Sequence, residues 1–485
     1  MELVLPIHYG IGRGSVERSP GRGGYLCSLP TNFRTRGLAL MKYWIPLVLL
    51  LTLLTSCTFV QERYPVLPPG PYRGLLEIEY NPIVPNPKGA PIPEKTDLEF
   101  EEVLEGQLPF NFDVVYETDT TFRMEIHNGE ETIIVPAKDI VFGRDQNAGR
   151  DTIRIDFPVY DTYISAYHEE NVIEGVWVVP YRNDERIPFK AYFGKGFRFT
   201  PMRKEPAADL TGTWEVTFGR GDETPYPGIA EFTQNRNELT GTFRTETGDY
   251  RYLEGTVQGD KAYLSVFDGA HAFLFEAKLN AAGELNGTFR SGRSYLTNWT
   301  ARRNANATLA NPDSLTQMLG DEPLSFAFPD ANGQVVSLDD ERYQGKPKLI
   351  KIMGTWCPNC RDEAEFLKEY LAKNETGDLE VIALAFERYG ADDPRSRRAV
   401  ARYEANMDVP WPVLLAGNYN KDDAGQVLPM LNKVISYPTL LFVDRNNQVQ
   451  RIHTGFNGPA TSQYEDFKRS FDASVQELIS SKPTK

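Results

Sequence analysis

The motif Trp356-Cys357-Pro358-Asn359-Cys360 constrains this chain more than any other feature of its sequence. It follows a strand-like apolar run, Lys348 to Met353, and it opens a helix-like run. Because free N–H groups at a helix N-terminus stabilise a thiolate, the motif predicts that Cys357 is the reactive sulfur. Cys360 comes one turn later on the same face, close enough to form a disulfide with Cys357. The pair is predicted to be a redox switch.

The other two of the four cysteines, Cys27 and Cys57, lie near the N-terminus. A basic start at Met41, an apolar run and small residues before Cys57 are typical of a secretory signal. The run is too short to span a bilayer, which needs about 20 residues. Leu54-Thr55-Ser56-Cys57 resembles a bacterial lipobox, which implies cleavage before Cys57 and lipidation of its sulfur. The alternative is an ordinary signal followed by a chance cysteine.

The N-terminal region is therefore divided into three segments. We predict that Met41 is the initiator and that residues 1–40 have no role in the mature protein. Residues 41–56 are predicted to be the signal peptide, and residues 57–71 the lipidated cysteine and a proline-containing tether. Thr58 is not the Asp that favours inner-membrane retention in some bacteria, so the outer membrane is favoured. One C-x-x-C pair without companion thiols suits an exported redox protein.

The charge of the chain bears on its partners. Its net charge is −15, and it has no basic stripe or cluster. A chain this acidic is not expected to bind nucleic acid. Its membrane contact is expected to come from the lipid alone.

Residues 72–205 read as an antiparallel β domain of unknown function. Short β-like runs alternate there with Gly, Asn, Asp and Pro, without a long helical period. These runs are 75–80, 122–126, 132–135 and 152–155. The sequence shows no catalytic cluster in this region.

Residues 206–305 carry an internal repeat in which Leu-x-Gly-Thr occurs four times. The copies are 210–213, 239–242, 253–256 and 285–288. We interpret the glycine of each copy as the bend that leads into a strand. Four such strands in succession predict a β-meander that forms a curled sheet or a small barrel. Gly212-Thr213-Trp214 and Arg302-Arg303 resemble features of lipocalin-like barrels, which can hold an apolar ligand. The alternative is a filled core that acts as a spacer or partner surface.

After a linker at 306–319, residues 320–485 alternate strands and helices. The predicted elements are a hairpin on Asn332-Gly333, strands at 348–353, 379–386, 412–415, 439–443 and 449–453, and helices at 358–373 and 464–479. This order is that of a thioredoxin-like domain. The predicted fold class is therefore multidomain, with N-terminal antiparallel β domains followed by a C-terminal α/β thioredoxin-like domain.

Residues from about 320 to 480 resemble the membrane-anchored, thioredoxin-like disulfide reductases of the TlpA/ResA type from bacterial cell envelopes. The resemblance depends on the entry hairpin, the Trp-Cys-Pro-Asn-Cys motif, the strand before Glu387, and Ser436-Tyr437-Pro438-Thr439, in this order. It implies that Pro438 is cis and faces the disulfide, and that the backbone of Tyr437 pairs with the substrate chain. It also implies that Trp356 shields the thiolate; the alternative for Trp356 is plain core packing.

The resemblance places two acids beside the cysteines, Glu363 and Glu387, either of which could accept the proton of Cys360. The alternatives are a solvated helix charge for Glu363 and a surface residue for Glu387. Lys351 departs from thioredoxins, which carry a buried acid at this position. Either its ammonium places a positive charge near the thiols, or its aliphatic chain crosses the core and its ammonium reaches solvent.

These residues predict dithiol–disulfide exchange without a metal or any cofactor beyond the redox-active disulfide. The expected partners are thiols and disulfides of exported proteins and an upstream electron donor. The expected location is the cell envelope, with a lipid anchor in the outer membrane and the redox domain facing the periplasm.

Three other functions stay open in the sequence. A peroxiredoxin would carry Thr where Gly354 stands, and a zinc site would need four ligands with paired spacing. A binding or scaffolding lipoprotein would be defined by its β domains and would use the redox domain as an accessory.

Overall fold

The computed structural model describes residues 66–79, 103–219 and 224–481. Residues 1–40, the predicted signal peptide and Cys57 lie outside these ranges. Within the described ranges, no helix is long and apolar enough to cross a membrane.

The first domain is an antiparallel sheet of nine strands in the order β4-β3-β2-β1-β9-β8-β7-β6-β5. The strands are β1 Gly70–Glu77, β2 Gln107–Tyr116, β3 Phe122–Asn128, β4 Glu131–Val135, β5 Ile140–Asp145, β6 Arg150–Phe157, β7 Thr162–Glu169, β8 Val172–Val179 and β9 Glu185–Phe193. Buried and partly exposed residues alternate along β3, as expected for a sheet with one buried face. This domain also contains the short 3₁₀ helices Ala137–Asp139 and Pro180–Arg182.

The predicted tether extends too far along the chain. β1 already begins at Gly70, and Leu67 is only 1% exposed in the core of the first domain. The hydroxyl of Tyr72 donates to the carbonyl of Pro68, which fixes this segment against the sheet. Apolar burial outweighs the extended preference of the prolines, so residues 66–71 belong to the folded domain.

The second domain is a closed antiparallel barrel. Its sheet has nine strands in the order β11-β10-β18-β17-β16-β15-β14-β12-β13, and a further β11–β12 pairing closes the ring. The strands are β10 Gly212–Phe218, β11 Tyr226–Asn235, β12 Glu238–Thr245, β13 Gly248–Asp249, β14 Leu253–Gln258, β15 Lys261–Phe267, β16 Ala272–Leu279, β17 Leu285–Ser291 and β18 Tyr295–Arg303. β13 pairs with β12 alone and extends outside the ring.

Aromatic side chains fill the barrel. The ring centroids of Phe243 and Phe275, and of Phe275 and Phe289, are both 4.3 Å apart, and Trp299 lies edge-on to Phe243. This packing favours the alternative in which the barrel is a spacer or a partner surface rather than a lipocalin-like container.

The repeat glycines have a different role from the predicted bend, except for Gly212, which begins β10. Gly255 and Gly287 lie inside strands, where the backbone of the neighbouring strand comes very close. A Cβ on Gly255 would be 1.7 Å from the carbonyl oxygen of Tyr263, and one on Gly287 would be 2.1 Å from that of Glu276. Glycine therefore allows the tight coiling of the barrel wall.

The C-terminal domain has a five-stranded mixed sheet in the order β23-β22-β21-β24-β25. Its strands are β21 Lys348–Met353, β22 Glu380–Glu387, β23 Val413–Asn418, β24 Thr439–Val443 and β25 Val449–Thr454. Its helices are α1 Pro358–Lys373, α2 Pro394–Met407, α3 Lys421–Val427 and α4 Tyr464–Ser480. A separate hairpin of β19 Ala327–Pro329 and β20 Val335–Ser337 precedes the sheet, as do the 3₁₀ helices Pro312–Ser314 and Glu341–Tyr343.

The predicted fold class is confirmed, and so are both predicted helices and all five strands, with ends that shift by up to three residues. Helices α2 and α3 were not predicted. The end of the predicted linker is fixed on the C-terminal domain, because Asp313 pairs with Arg451 and His453 of β25. β21 is buried on both faces at the centre of the sheet, and α1 begins directly after it.

Candidate active site

Cys357 is the N-cap residue of α1, the position that the motif predicts for the reactive sulfur. Its sulfur accepts a hydrogen bond from the backbone N–H of Cys360, 3.2 Å away. The thiol of Cys360 also points at this sulfur, at a distance of 2.6 Å, and both residues are free thiols. Cys357 is 7% exposed and Cys360 is fully buried, so a substrate can reach only the first sulfur.

Burial raises the pKa of Cys360 well above its ordinary value. The hydrogen bond to Cys357 and the charge of an ionised Cys357 add to this rise, whereas the positive charge of Lys351 opposes it. Cys360 therefore keeps its proton at neutral pH. Its retained proton and full burial suit Cys360 to the second step of an exchange, and the first attack falls to Cys357, whose sulfur a substrate can reach.

Lys351 and Glu363 form a buried ion pair beneath Cys360. The ammonium is 2.8 Å from the Glu363 carboxylate and donates to the carbonyl of Cys360 at 2.6 Å. Neither side chain is exposed. The alternatives of a solvated charge for Glu363 and an ammonium in solvent for Lys351 are therefore wrong, because each charge stabilises the other inside the domain.

Glu387 is also buried, so the alternative of a surface residue is wrong. Its carboxylate accepts two hydrogen bonds from Thr355, one from the backbone N–H at 2.8 Å and one from the hydroxyl at 2.9 Å. Desolvation raises the pKa of Glu387, and these two hydrogen bonds oppose the rise. Glu387 thus fixes the loop that precedes Cys357.

Trp356 covers this loop. Its indole N–H donates to the carbonyl of Phe386 at 3.0 Å, and its ring lies edge-on to Tyr437 with centroids 5.6 Å apart. The indole folds back over Gly354, where a Cβ would be 2.4 Å from Trp356 Nε1. The threonine that peroxiredoxins need at this position would collide with the ring, which counts against that alternative.

The Tyr437–Pro438 peptide bond is cis, as the resemblance implies. The carbonyl of Tyr437 accepts a hydrogen bond from the Cys357 thiol at 3.3 Å. The structure therefore brings Tyr437 and the reactive sulfur together. Ser436, which precedes Tyr437, donates its hydroxyl proton to Thr247 of the barrel at 2.6 Å.

Cys357 faces a cleft of about 240 Å³, lined on the same side by Trp356, Lys421 and Tyr437. The sequence interpretation missed Lys421. Desolvation lowers the pKa of its ammonium, and the negative charge of an ionised Cys357 opposes that shift. Lys421 begins the unpredicted helix α3, so no motif in the sequence placed it beside the thiol.

The interpretation also missed Tyr403 of α2. Burial raises the pKa of its hydroxyl, and the nearby charges of Cys360 and Cys357 add to the rise. Within the described residues, no group of three or more His, Cys, Asp and Glu side chains is placed to hold a metal ion.

Comparisons with known proteins point to the same part of the chain. A family model described as Redoxin matches residues 318–467. The thiol-disulfide oxidoreductase ResA of Bacillus thuringiensis subsp. konkukian is 27% identical over 131 residues, which are 27% of this chain and 66% of ResA. The thioredoxin-like protein YneN of Bacillus subtilis is 28% identical over 136 residues, which are 28% of this chain and 71% of YneN.

The chain thus spans about two thirds of the length of such relatives, and the β domains lie outside the matched region. The solved structure of a thiol:disulfide interchange protein from Chlorobium tepidum TLS is 17% identical and aligns with 34% of this chain and 99% of its own, with a TM-score of 0.24. The family match, together with the mixed sheet and the N-cap cysteine, shows that residues 318–467 are a redoxin domain of thioredoxin-like fold.

Proposed function

We propose that this protein is a thiol-disulfide oxidoreductase whose reacting groups are the thiols of Cys357 and Cys360. One observation carries the proposal: Cys360 directs both its backbone N–H and its thiol proton at the sulfur of Cys357. Both donors point at the atom that holds negative charge when it attacks the target disulfide. The relatives named thiol-disulfide oxidoreductase support the same chemistry.

The exchange has two steps. In the first, the Cys357 thiolate attacks one sulfur of a target disulfide, whose S–S bond breaks to release a thiolate and leave a mixed disulfide. In the second, Cys360 loses its proton and attacks the Cys357 sulfur. The target leaves with two reduced sulfurs, and the protein is left with a Cys357–Cys360 disulfide. An upstream electron donor must then supply two electrons to restore the dithiol.

The proton of Cys360 needs an acceptor in the second step. Of the two candidate acids, we favour Glu363, because it lies three residues after Cys360 on α1 and its side chain is fully buried. Glu387 is a positioning residue in this scheme, since its carboxylate oxygens hold Thr355. The mechanism uses no cofactor beyond the redox-active disulfide.

The substrates proposed here are thiols and disulfides of exported proteins in the cell envelope. The support is the lipobox-like sequence that ends at Cys57, which would anchor the chain by lipid in the outer membrane with the redoxin domain facing the periplasm. Labelling with a radioactive fatty acid tests the anchor. A Cys57→Ser variant should lose both the label and the membrane fraction, and a labelled variant would contradict this part of the proposal.

The reduction potential of the Cys357–Cys360 pair tests the proposed activity. A chain that begins at Thr58 is equilibrated in thiol buffers, and its alkylated cysteines are counted by mass. A value near the thioredoxin potential of about −270 mV would make the protein a reductase, and one near about −120 mV a disulfide-forming oxidant. A pair that never cycles between dithiol and disulfide would overturn the proposal.

A further inference from the structure

The wall that faces Cys357 across its cleft belongs to the barrel and not to the redoxin domain. The barrel residues that line this wall are Thr245, Thr247, Gly248, Asp249, Tyr250, His271 and Phe273. The cleft between the two walls has a volume of about 240 Å³. That is below the range of about 300–1,000 Å³ that is usual for sites enclosing drug-sized ligands. The Cys357 thiol therefore faces a small cleft whose walls come from two domains.

Part of the wall is a tight turn between β12 and β13, which we call the docking hairpin (residues 245–249). Hydrogen bonds fix both of its sides to the redoxin domain. On one side the carbonyl of Thr247 accepts from the hydroxyl of Ser436 at 2.6 Å. On the other side the carbonyl of Asp249 accepts from the side-chain amide of Asn359 at 3.1 Å, inside the Cys-Pro-Asn-Cys motif itself.

The carboxylate of Asp249 adds a third anchor. One oxygen accepts from the backbone N–H of Gly458 at 2.6 Å, and the other accepts from the N–H of Arg251 at 2.7 Å. The Asp249 side chain thus joins the loop after β25 of the redoxin domain to the segment that follows β13 in the barrel. These contacts make the hairpin a fixed wall of the site.

A glycine permits the close approach of this wall. Gly248 has φ +130°, and a Cβ there would be 2.5 Å from the amide nitrogen of Asn359 and 3.3 Å from the carbonyl oxygen of Phe456. A side chain at this position would push the hairpin away from the active-site loop. Glycine at position 248 therefore allows the docking hairpin to pack directly against the Cys-Pro-Asn-Cys motif.

The wall limits how a disulfide can approach. Attack requires the target sulfur to come within about 3–3.5 Å of the nucleophile and in line with it. Cys357 is 7% exposed and lines the cleft together with Trp356 and the docking hairpin. The broad surface of a folded domain would meet the barrel before its sulfur reached Cys357, whereas a single extended chain can enter.

From this geometry we infer that the docking hairpin selects disulfides carried on extended, unfolded polypeptide segments and rejects those on the surface of folded domains. The inference rests on the proposed exchange chemistry and specifies its substrate class. It assigns the barrel a role in substrate selection, which the redoxin match does not cover.

Three disulfides test the inference on the purified protein: cystine, a linear peptide pair joined by one disulfide, and a small folded protein with one surface disulfide. Each rate is divided by the rate of the same disulfide with dithiothreitol, which removes differences in intrinsic reactivity. After this correction the linear peptide should react at least about tenfold faster than the folded protein. Equal corrected rates would overturn the inference.

A bulky residue at the hairpin tip gives a second test. Thr247→Trp should narrow the cleft and lower the corrected peptide rate by about fivefold or more, and it should lower the rate with the smaller cystine by less. Thr217→Trp is the matched control, because Thr217 is an exposed residue of β10 that does not line this cleft. If both variants reduce the peptide as fast as the natural protein, the hairpin does not select substrates.

The proposed function fails separately from the inference. A protein that reduces none of the three disulfides, and whose Cys357–Cys360 pair never cycles in thiol buffers, is not an oxidoreductase, and the basis of the inference falls with it. A protein that reduces all three at equal corrected rates keeps its proposed activity and loses only the selective hairpin.

Discussion

The ammonium of Lys351 and the carboxylate of Glu363 are 2.8 Å apart, and neither side chain has any exposure to solvent. Removing two charges from water is costly, and their attraction offsets this cost only while both are present. The same ammonium donates to the carbonyl of Cys360 at 2.6 Å. A fully desolvated ion pair therefore contacts the backbone of Cys360, the second thiol of the proposed exchange.

The first prediction concerns the stability of this pair. Lys351→Met should lower the free energy of unfolding by about 3–5 kcal/mol, because it leaves the Glu363 carboxylate buried without a partner. The double variant Lys351→Met/Glu363→Leu should recover most of that loss, since apolar residues of similar volume can replace a buried pair at little cost. Urea denaturation of the three proteins measures both effects. A single variant as stable as the natural protein would contradict the prediction.

The second prediction separates the roles of the two cysteines. Cys357→Ala should abolish turnover, because Cys360 is fully buried and burial raises its pKa. Cys360→Ala should make one attack and then accumulate the mixed disulfide, which mass spectrometry of the intact protein detects as added substrate mass. Normal turnover by Cys360→Ala would show that the exchange does not need the second thiol.

The redoxin domain was largely predictable because its signals are local. The strand 348–353 is apolar along its length, and Pro358 opens a helix with regular apolar spacing, so both elements were predicted with the ends that the structure shows. Helix α2 gave a weaker signal. Only three apolar side chains, those of Val400, Tyr403 and Met407, join Ser396 on its buried face, and four of its other residues are arginines.

The contacts that complete the site could not be predicted in the same way. Asp249 and Asn359 are 110 residues apart in the chain, and the hydrogen bond between them depends on how the barrel and the redoxin domain pack. No spacing rule connects positions so distant. The resemblance supplied Tyr437 and the two acids, but it covers the redoxin domain alone and so gave no information about a wall formed by the barrel.

The third prediction concerns the pH dependence of stability, and it compares Glu380 and Glu387, which lie at the two ends of β22. Desolvation raises the pKa of Glu387 above its ordinary value of 4.5. The folded state thus binds its proton more tightly than the unfolded state does. The stability that Glu387 contributes is present below pH 4.5 and is lost as the pH rises through the raised pKa.

A Glu387→Gln variant removes this titration and can keep both contacts to Thr355, because its amide oxygen accepts from the N–H and its amide nitrogen donates to the hydroxyl. Its unfolding free energy should therefore increase relative to the natural protein as the pH rises above 4.5. Glu380 is the control. Burial raises its pKa, but hydrogen bonds from Lys346 and Arg342 outweigh that effect and lower it below 4.5.

For Glu380→Gln the sign is reversed: the natural protein should gain stability over the variant as the pH rises through the lowered pKa, and should lose that advantage in acid. Thermal or urea unfolding from pH 3 to pH 8 measures both differences. Parallel profiles for the two variants would contradict the assignment of opposite shifts to the two ends of this strand.

The fourth prediction concerns the junction of the three domains, where one guanidinium serves three carboxylates. Arg251 of the barrel is 3% exposed and pairs with Glu131 of the first sheet, with Asp362 of α1 at 2.8 Å, and with Asp268 of the barrel at 3.5 Å. Desolvation opposes its charge, but attraction to Asp362, Glu131 and Asp268 outweighs this and raises its pKa. A single cation thus holds acids from three domains together.

Arg251→Met should destabilise the protein by about 3–5 kcal/mol, because it removes the guanidinium that pairs with Glu131 and Asp362 in the buried junction. Arg251→Lys should recover only part of this loss, since an ammonium cannot present the planar set of donors that reaches three acids at once. Arg302→Met is the matched control on the barrel surface, where the pair with Glu215 is exposed and is expected to contribute at most about 1 kcal/mol.

Arg251→Met should also affect the docking hairpin, which contacts the active-site motif. Arg251 adjoins Asp249, whose carboxylate anchors the docking hairpin, so loss of the junction should loosen the hairpin as well as the domain contact. Limited proteolysis should then cut Arg251→Met between the barrel and the redoxin domain faster than it cuts Arg302→Met. The reduction potential of Cys357–Cys360 should stay unchanged, because the ion pair beneath Cys360 lies within the redoxin domain. Equal proteolysis of the two variants would show that Arg251 does not hold the domains together.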